Sequence, residues 1–523
     1  MTVTPPSAEN LQRVYEQAAQ AYNAGQWQTA LEYVEIILAT HPEHPEVLHL
    51  RGRIALALDE IAAAHHWIAL ALQVQPNPNF YNSLSVVQTR LREFSSAAES
   101  AQQGLTLARR MTPPPDISLL LYNLGRALQL DGEFEKALDH YRNLIAINPK
   151  HSEAHNNAGI ILKDLGELES AMWHLNQAMA LRPDNHEARF NFANTLLAAG
   201  RYEDAWPYYE FRGQSLKNGD GKLIVPPPPP LPQWQGQDVS VGKHSLLVFH
   251  EQGLGDTLQF ARYLSMALAR FAVVGFVCPR SLHRLLKQSF CTRWPNLLLF
   301  DKQPANLDDW DWYSLLMSLP MAFGTRIDNI PAALYLHADA QLAETWRARL
   351  ARLGPPELAR IGLVWAGGEY SGSVTDRKRS LAPEQIAPLL ARPHACWVSL
   401  QQAANPAKQL SPEQRSKIAD WMSEISDFAD TAALIEHLDL VIAVDTSVAH
   451  LAAAMGKRVW LLNRHAGCWR WLRDRDDSPW YPSLRLFTQT RGGAWDEVLA
   501  RVVGALEQER RSKNHPNPGT DHD

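Results

Sequence analysis

A 34-residue spacing runs through the first 212 residues and constrains the fold more than any other feature. Pro42 and Pro76 are 34 residues apart, as are Pro149 and Pro183. Ala30, Ala64 and Ala98 keep that interval, and so do Ala137, Ala171 and Ala205, and Gly132, Gly166 and Gly200. Small residues let paired helices approach, and a proline ends a helix because it has no N–H to donate. A helix pair of this length cannot bury its apolar face alone, so the copies must stack. The phase slips around Met111, Thr112, Pro113, Pro114 and Pro115. This predicts five or six repeats, a degenerate group followed by a regular one.

The pattern is that of tetratricopeptide arrays, which form a right-handed α-solenoid with a concave face suited to a peptide or protein. Asn123, Asn157 and Asn191 recur at the same interval, on the first helix of their repeats. An amide both donates and accepts, so such a ladder suits an extended acceptor peptide; inter-repeat hydrogen bonds are the alternative. The ladder resembles that of the tetratricopeptide portion of eukaryotic O-GlcNAc transferase, and the resemblance implies peptide binding.

Periodicity stops after Arg212, so residues 1–212 are read as the repeat array. Residues 213–240 form a proline-rich linker with five consecutive prolines, Pro226 to Pro230. Such a run favours a stiff polyproline spacer or a strap packed on the next domain, with an SH3-type ligand as the alternative. Strands are expected at 245–250, 273–278, 297–300, 312–316, 360–366, 395–400, 438–444 and 458–462, with helices between them. The expected fold class is therefore an α-solenoid followed by α/β: two Rossmann-like halves, 241–340 and 341–509, with ligands at the carboxyl ends of the strands. A helical stretch over 340–356 divides the halves, and the polar tail 510–523 is expected to be disordered.

A net charge of −6 gives no general attraction to nucleic acid or anionic membrane. The four cysteines, Cys278, Cys291, Cys396 and Cys468, lie far apart, which argues against a zinc site or a disulfide framework. No apolar run approaches a membrane span, and MTVTPPSAEN has no signal-peptide pattern, so the expected location is the cytoplasm.

Two turns carry the chemistry. LLVFHEQGLGDTLQFARYL, from Leu246, reads as a buried strand, a glycine turn ending in Asp256, and a helix. DLVIAVDTSVAHLAAAMG, from Asp439, repeats that plan. Turns of this kind aim backbone N–H groups at an anionic ligand. Gln252, Gly253 and Gly255 form the first turn, and its glycines either admit a ligand or make a tight turn. Asp445, Thr446, Ser447 and His450 form the second, whose hydroxyls and helix N–H groups suit a diphosphate; capping and a locally satisfied histidine are the alternatives. Gln401 is a weaker candidate at a strand end. Trp469, Trp471, Trp480 and Tyr481 crowd one segment with Arg464, Arg470 and Arg473, either stacking on a ligand or forming a packed cover.

HEQGLGDTLQFARY, RIGLVWAGG…DRKRSL, VSLQQ, DFADTAALIEHLDLVIAVDTSVAHLAAAMGK and DSPWYPSLRLF resemble the catalytic part of bacterial tetratricopeptide-containing glycosyltransferases. That part is similar to the ADP-heptose heptosyltransferases of the GT-B fold. The resemblance covers roughly residues 231–506. It implies that Asp256 is the catalytic base of an inverting transfer, with helix capping or ligand positioning as alternatives. It implies that Asp445, Thr446, Ser447 and His450 bind the donor nucleotide, Ser447 standing where glycine is usual. It also implies that a basic residue after the Gly367-Gly368 loop neutralises donor phosphate. Arg379 is the first choice within Arg377, Lys378 and Arg379, a solvated basic loop being the alternative. No cofactor and no metal are expected beyond the nucleotide-sugar substrate.

The expected function is transfer of a sugar from a nucleotide sugar to a protein acceptor held by the repeats, with flagellin as one candidate acceptor and a homodimer as one candidate assembly. Two alternatives stand beside it: a glycolipid or polysaccharide acceptor, and a non-catalytic adaptor.

Overall fold

The computed structural model describes residues 8–216, 223, 225, 227–331, 334–368, 379–402 and 409–514. Twelve helices from Ala8–Asn23 to Tyr202–Tyr209 form six pairs, and a one-turn helix, Arg212–Ser215, follows. The first helix of each pair ends on a left-handed residue: Gly25, Asp59, Arg92, Gly132, Gly166 and Gly200. In two repeats the turn is thus built on a side chain that disfavours this conformation, which hides their register in the sequence. The slip is real: 40 residues separate Arg92 from Gly132.

By packing, the chain divides into two compact units, Met1–Leu165 with Trp173–Pro183, and Gly166–Met172 with Asp184–Asp523. The division falls inside the repeat array rather than at residue 212. The terminal repeat's helices, His186–Ala198 and Tyr202–Tyr209, pack with the α/β part of the second unit. Their aromatic side chains find partners there. Trp480 Nε1 donates to Tyr202 OH at 3.0 Å, and Trp206 Nε1 donates to the Thr325 carbonyl at 2.8 Å.

Among its described residues the second unit holds ten parallel strands in two sheets. Strands β1 (Ser245–Phe249), β2 (Val273–Val277), β3 (Leu297–Phe300) and β4 (Trp312–Leu315) form the first, in the order β3-β2-β1-β4. Strands β5 (Ala359–Val364), β6 (Ala395–Ser399), β7 (Ile418–Asp420), β8 (Leu440–Val444), β9 (Val459–Asn463) and β10 (Leu484–Thr488) form the second, in the order β10-β9-β8-β5-β6-β7. Eight of these strands lie where the sequence places them, and β7 and β10 are additional. Both sheets reverse direction beside their first strand, between β1 and β4 and between β5 and β8. In such sheets that reversal opens a crevice at the carboxyl ends, where ligands bind. Strands β8 and β9 are buried throughout, as parallel strands covered on both faces must be.

Three further features brace the second unit. Arg212 and Glu251 form a fully buried ion pair at 2.8 Å, and Arg212 also reaches Glu210 and Ser318. The end of the proline-rich segment lies along the outer edge of β4: Trp234 N donates to the Tyr313 carbonyl at 2.7 Å, and Tyr313 N to the Pro232 carbonyl at 3.0 Å. The last helix, Trp495–Asn514, carries the first residues of the tail expected to be disordered, 510–514, while 515–523 lie outside the described residues. Glu507 and Arg510 pair one turn apart at 3.7 Å, and the stretch is rich in residues that favour helix.

Candidate functional site

The first turn leaves β1 through His250, Glu251 and Gln252 and enters the Leu254–Phe260 helix. Gln252 takes φ of 61°, a left-handed conformation rare outside glycine and asparagine. Gly253 sits before the helix in extended backbone. Asp256, in the first helical turn, folds back, and its Oδ2 accepts the Gly253 N–H at 3.0 Å. Its Oδ1 accepts Arg470 Nη2 at 2.5 Å. The carboxylate is 23 % exposed and its arginine partner 8 %. Capping and ion pairing thus fix both oxygens, while one face of the carboxylate still reaches solvent.

The second turn leaves β8 at Asp445 and Thr446 and enters the Ser447–Ala454 helix. Asp445 Oδ2 accepts Trp471 Nε1 at 3.0 Å, and Oδ1 lies 3.6 Å from His450 Nε2. Burial alone would raise the Asp445 pKa, but His450, the Trp471 hydrogen bond and the Arg379 charge outweigh it and hold the carboxyl well below the usual range. His450 Nδ1 is 3.0 Å from Tyr481 OH, and its ring stacks on Trp471. His450 is therefore held by the protein itself. Thr446 Oγ1 differs: it is buried and has no hydrogen-bond partner. A hydroxyl in that state loses water without replacing it, so a ligand oxygen there would complete it.

The two turns meet at Gly255. A Cβ on that residue would stand 3.0 Å from His450 Cδ2 and 3.5 Å from Ser447 Cα. The glycine therefore admits the opposing turn, and the start of one helix rests on the start of the other.

A cleft of about 530 Å³ opens between the halves. Leu254 and Ser281 line it from the first half; Gly367, Gln401, Thr446 and Ser447 line it from the second. Arg379 lies across Gly367, where a Cβ would stand 2.5 Å from its Nε, and its Nη2 donates to the Gly368 carbonyl at 2.8 Å. Gln401 is structural: its Oε1 accepts the backbone N–H groups of Trp365 and Ala366, fixing the end of β5. Lys378 and Arg377 lie outside the described residues.

In the repeats, Asn123 Nδ2 donates to Asn82 Oδ1 at 2.8 Å, and Asn157 Nδ2 to Tyr141 OH at 3.1 Å. Both asparagines thus make the inter-repeat bonds that the sequence leaves as the alternative to peptide binding. Asn191 lies on the His186–Ala198 helix of the terminal repeat, and its carbonyl accepts the Thr195 hydroxyl.

The cluster of Trp469, Trp471, Trp480 and Tyr481 is buried packing, not a stacking platform for a ligand. Sequence reasoning leaves Arg470 in that cluster without a role; its tie to Asp256 joins residues 214 positions apart. Arg262 was also missed. Its buried guanidinium donates to the Pro331 and Trp480 carbonyls and lies over Tyr481. The signal available was an arginine inside an otherwise apolar helix face.

Residues 395–462 match the family described as glycosyltransferase family 9 (heptosyltransferase). Residues 15–78, 118–151 and 152–185 match tetratricopeptide repeat families. The chain is 27 % identical over 512 residues to Protein FlbA of Caulobacter vibrioides, covering 92 % of this chain and 82 % of that one. It is 38 % identical over 69 residues to Photosystem I assembly protein Ycf3 of Synechococcus elongatus, covering 13 % of this chain and 38 % of that one. Among solved structures, the tetratricopeptide protein YrrB, described as having an unusual peptide-binding site, aligns at 19 % identity and a TM-score of 0.29, over 34 % of this chain and 88 % of that one. The type IV pilus biogenesis factor PilW aligns at 16 % identity and a TM-score of 0.36, over 40 % and 93 %. The chain thus combines tetratricopeptide repeats with a heptosyltransferase-like glycosyltransferase domain. No described helix is long and apolar enough to cross a membrane.

Proposed function

We propose that this protein transfers a sugar from a nucleotide-sugar donor to a protein acceptor held by the repeats. The observation that carries the reading is the meeting of two strand–turn–helix units at Gly255, beside a cleft at the carboxyl ends of β5 and β8. Donor phosphate in that cleft would face Thr446, Ser447 and the free N–H groups of their helix, with Arg379 as the nearby cation. The unpartnered Thr446 hydroxyl favours this placement.

Asp256 is the proposed base. It takes the proton of an acceptor hydroxyl while that oxygen attacks the anomeric carbon and the nucleoside diphosphate leaves, which inverts the configuration. Arg379 and the helix N–H groups stabilise the departing charge, a task that needs no metal. The repeats are the proposed site of acceptor capture, and flagellin is one acceptor of the right kind.

Two experiments test this. A panel of nucleotides in thermal unfolding should contain one that raises the melting temperature, since a ligand at 100 times its Kd adds about 2.7 kcal/mol of stability. Asp256→Ala should keep that stabilisation and lose transfer. Intact-mass measurements of proteins from cells with and without the gene should differ by sugar-sized increments; unchanged masses would sink the protein-acceptor reading.

A further inference from the structure

The turn Trp469–Trp471 sends three consecutive side chains to three different places. Trp469 packs edge-on against Tyr202, Trp206 and Tyr209 of the terminal repeat, at centroid distances of 5.9 to 6.3 Å. Arg470 reaches Asp256 in the first half. Trp471 reaches Asp445 in the second half. The His186–Ala198 helix also packs on this turn.

We propose that Arg470 is the positioning residue for Asp256, and that the terminal repeat holds it in place through Trp469. The inference rests on the reading of Asp256 as the base.

Each nitrogen of the Arg470 guanidinium has a partner. Nε donates to Gln259 Oε1, Nη1 to Cys468 Sγ at 2.9 Å, and Nη2 to Asp256. Its Cζ lies 4.5 Å from the Trp469 ring centroid and 5.6 Å from that of Phe260. A group held this way cannot swing toward a donor phosphate without leaving three partners. Its role is therefore to fix a carboxylate. With Oδ2 tied to Gly253 and Oδ1 to Arg470, both side-chain torsions of Asp256 are set, and each oxygen keeps a second lone pair for an acceptor proton.

Packing alone does not explain an arginine here. A methionine or leucine would fill the space without the cost of dehydrating a charge. The turn also ends in strain: Leu472 takes φ of 54°, a conformation a leucine adopts only when its surroundings impose it. Strain of this kind is tolerated where placement of a neighbouring group matters.

The test uses purified full-length protein added to a lysate of cells lacking the gene, which supplies both donor and unmodified acceptor. Sugar-sized mass increments over time are the readout. Wild-type protein restores them; if it does not, the transfer reading itself fails, and this proposal with it. Arg470→Ala should slow transfer about 100-fold, the scale expected for a misplaced catalytic group. It should leave the nucleotide-induced rise in melting temperature unchanged. Millimolar guanidinium should recover part of the Arg470→Ala rate and none of the Asp256→Ala rate, a response that lost packing would not give. Wild-type rates in Arg470→Ala, or a slow rate that guanidinium leaves unchanged, overturn the proposal. Should Arg470→Ala not fold, Arg470→Lys carries the test: it keeps the charge but loses the planar fork. Slow transfer at a near-normal melting temperature then supports positioning, and normal transfer overturns it. Trp469→Ala should likewise lower the rate with nucleotide binding retained, and an unchanged rate removes the terminal repeat from the argument.

Discussion

Arg212 and Glu251 bury opposite charges that each need the other. Arg212→Met would leave Glu251 dehydrated and unpaired, so a loss of about 3–5 kcal/mol is expected in urea unfolding. His49 sets a second residue-level expectation. Burial, with the Arg53 charge, lowers its pKa to about 3, and its Nε2 lies 2.8 Å from Ser83 Oγ. Its unfolded pKa is near 6.5, so the unfolded chain binds the proton first as pH falls. The neutral histidine's stabilisation is thus complete above about pH 6.5 and is lost progressively toward pH 3. His174, lowered to about 4 by burial and by His155, acts in the same direction. His49→Gln should flatten the fall in melting temperature between pH 6.5 and 4; an unchanged slope would assign that fall to other groups. Little of this was legible in the sequence. Arg212 and Glu251 are 39 positions apart, and His49 stands in a helix with nothing nearby to mark it as half-buried.

At the scale of elements, the strands and turns were the readable part. Their apolar runs are long enough to show, and a glycine or an acidic residue marks each turn. Strand β7 escaped because it has three residues, too few for a pattern, and β10 because LRLFT follows a proline and a serine that read as loop. The candidate site was half readable: its turns lie in the sequence, but the Trp469–Trp471 turn gains meaning only from contacts with Asp256 and Asp445. The asparagine ladder shows the opposite limit, since its period was plain while its partners, Asn82 and Tyr141, were not. The contact between the two turns carries a further expectation. Gly255→Ala places a methyl 3.0 Å from His450, so the helices must part or the ring must turn. A cost of about 1–3 kcal/mol in stability is expected, together with weaker nucleotide binding. Wild-type affinity in that variant would separate the glycine from the donor site.

For the whole molecule, the division into compact units predicts where the chain can be cut. A fragment starting at Gly166 retains the terminal repeat and should unfold cooperatively on its own. One starting at Gly213 leaves Trp469 and Trp480 without Tyr202 and Trp206, and Glu251 without Arg212; it should aggregate or fail to melt cooperatively. Comparable melting of the two fragments would refute the assignment of the terminal repeat to the second unit. The same arrangement bears on synthesis. Tyr202 and its partner Trp480 are 278 positions apart. At roughly 5–20 residues per second, a ribosome needs about 15–60 s to travel that distance. For that time Tyr202, Trp206 and Tyr209 emerge on a repeat whose covering surface has not been made. The aromatic face that later closes the second unit is first a sticky one on a nascent chain, and it is there that a chaperone would be needed.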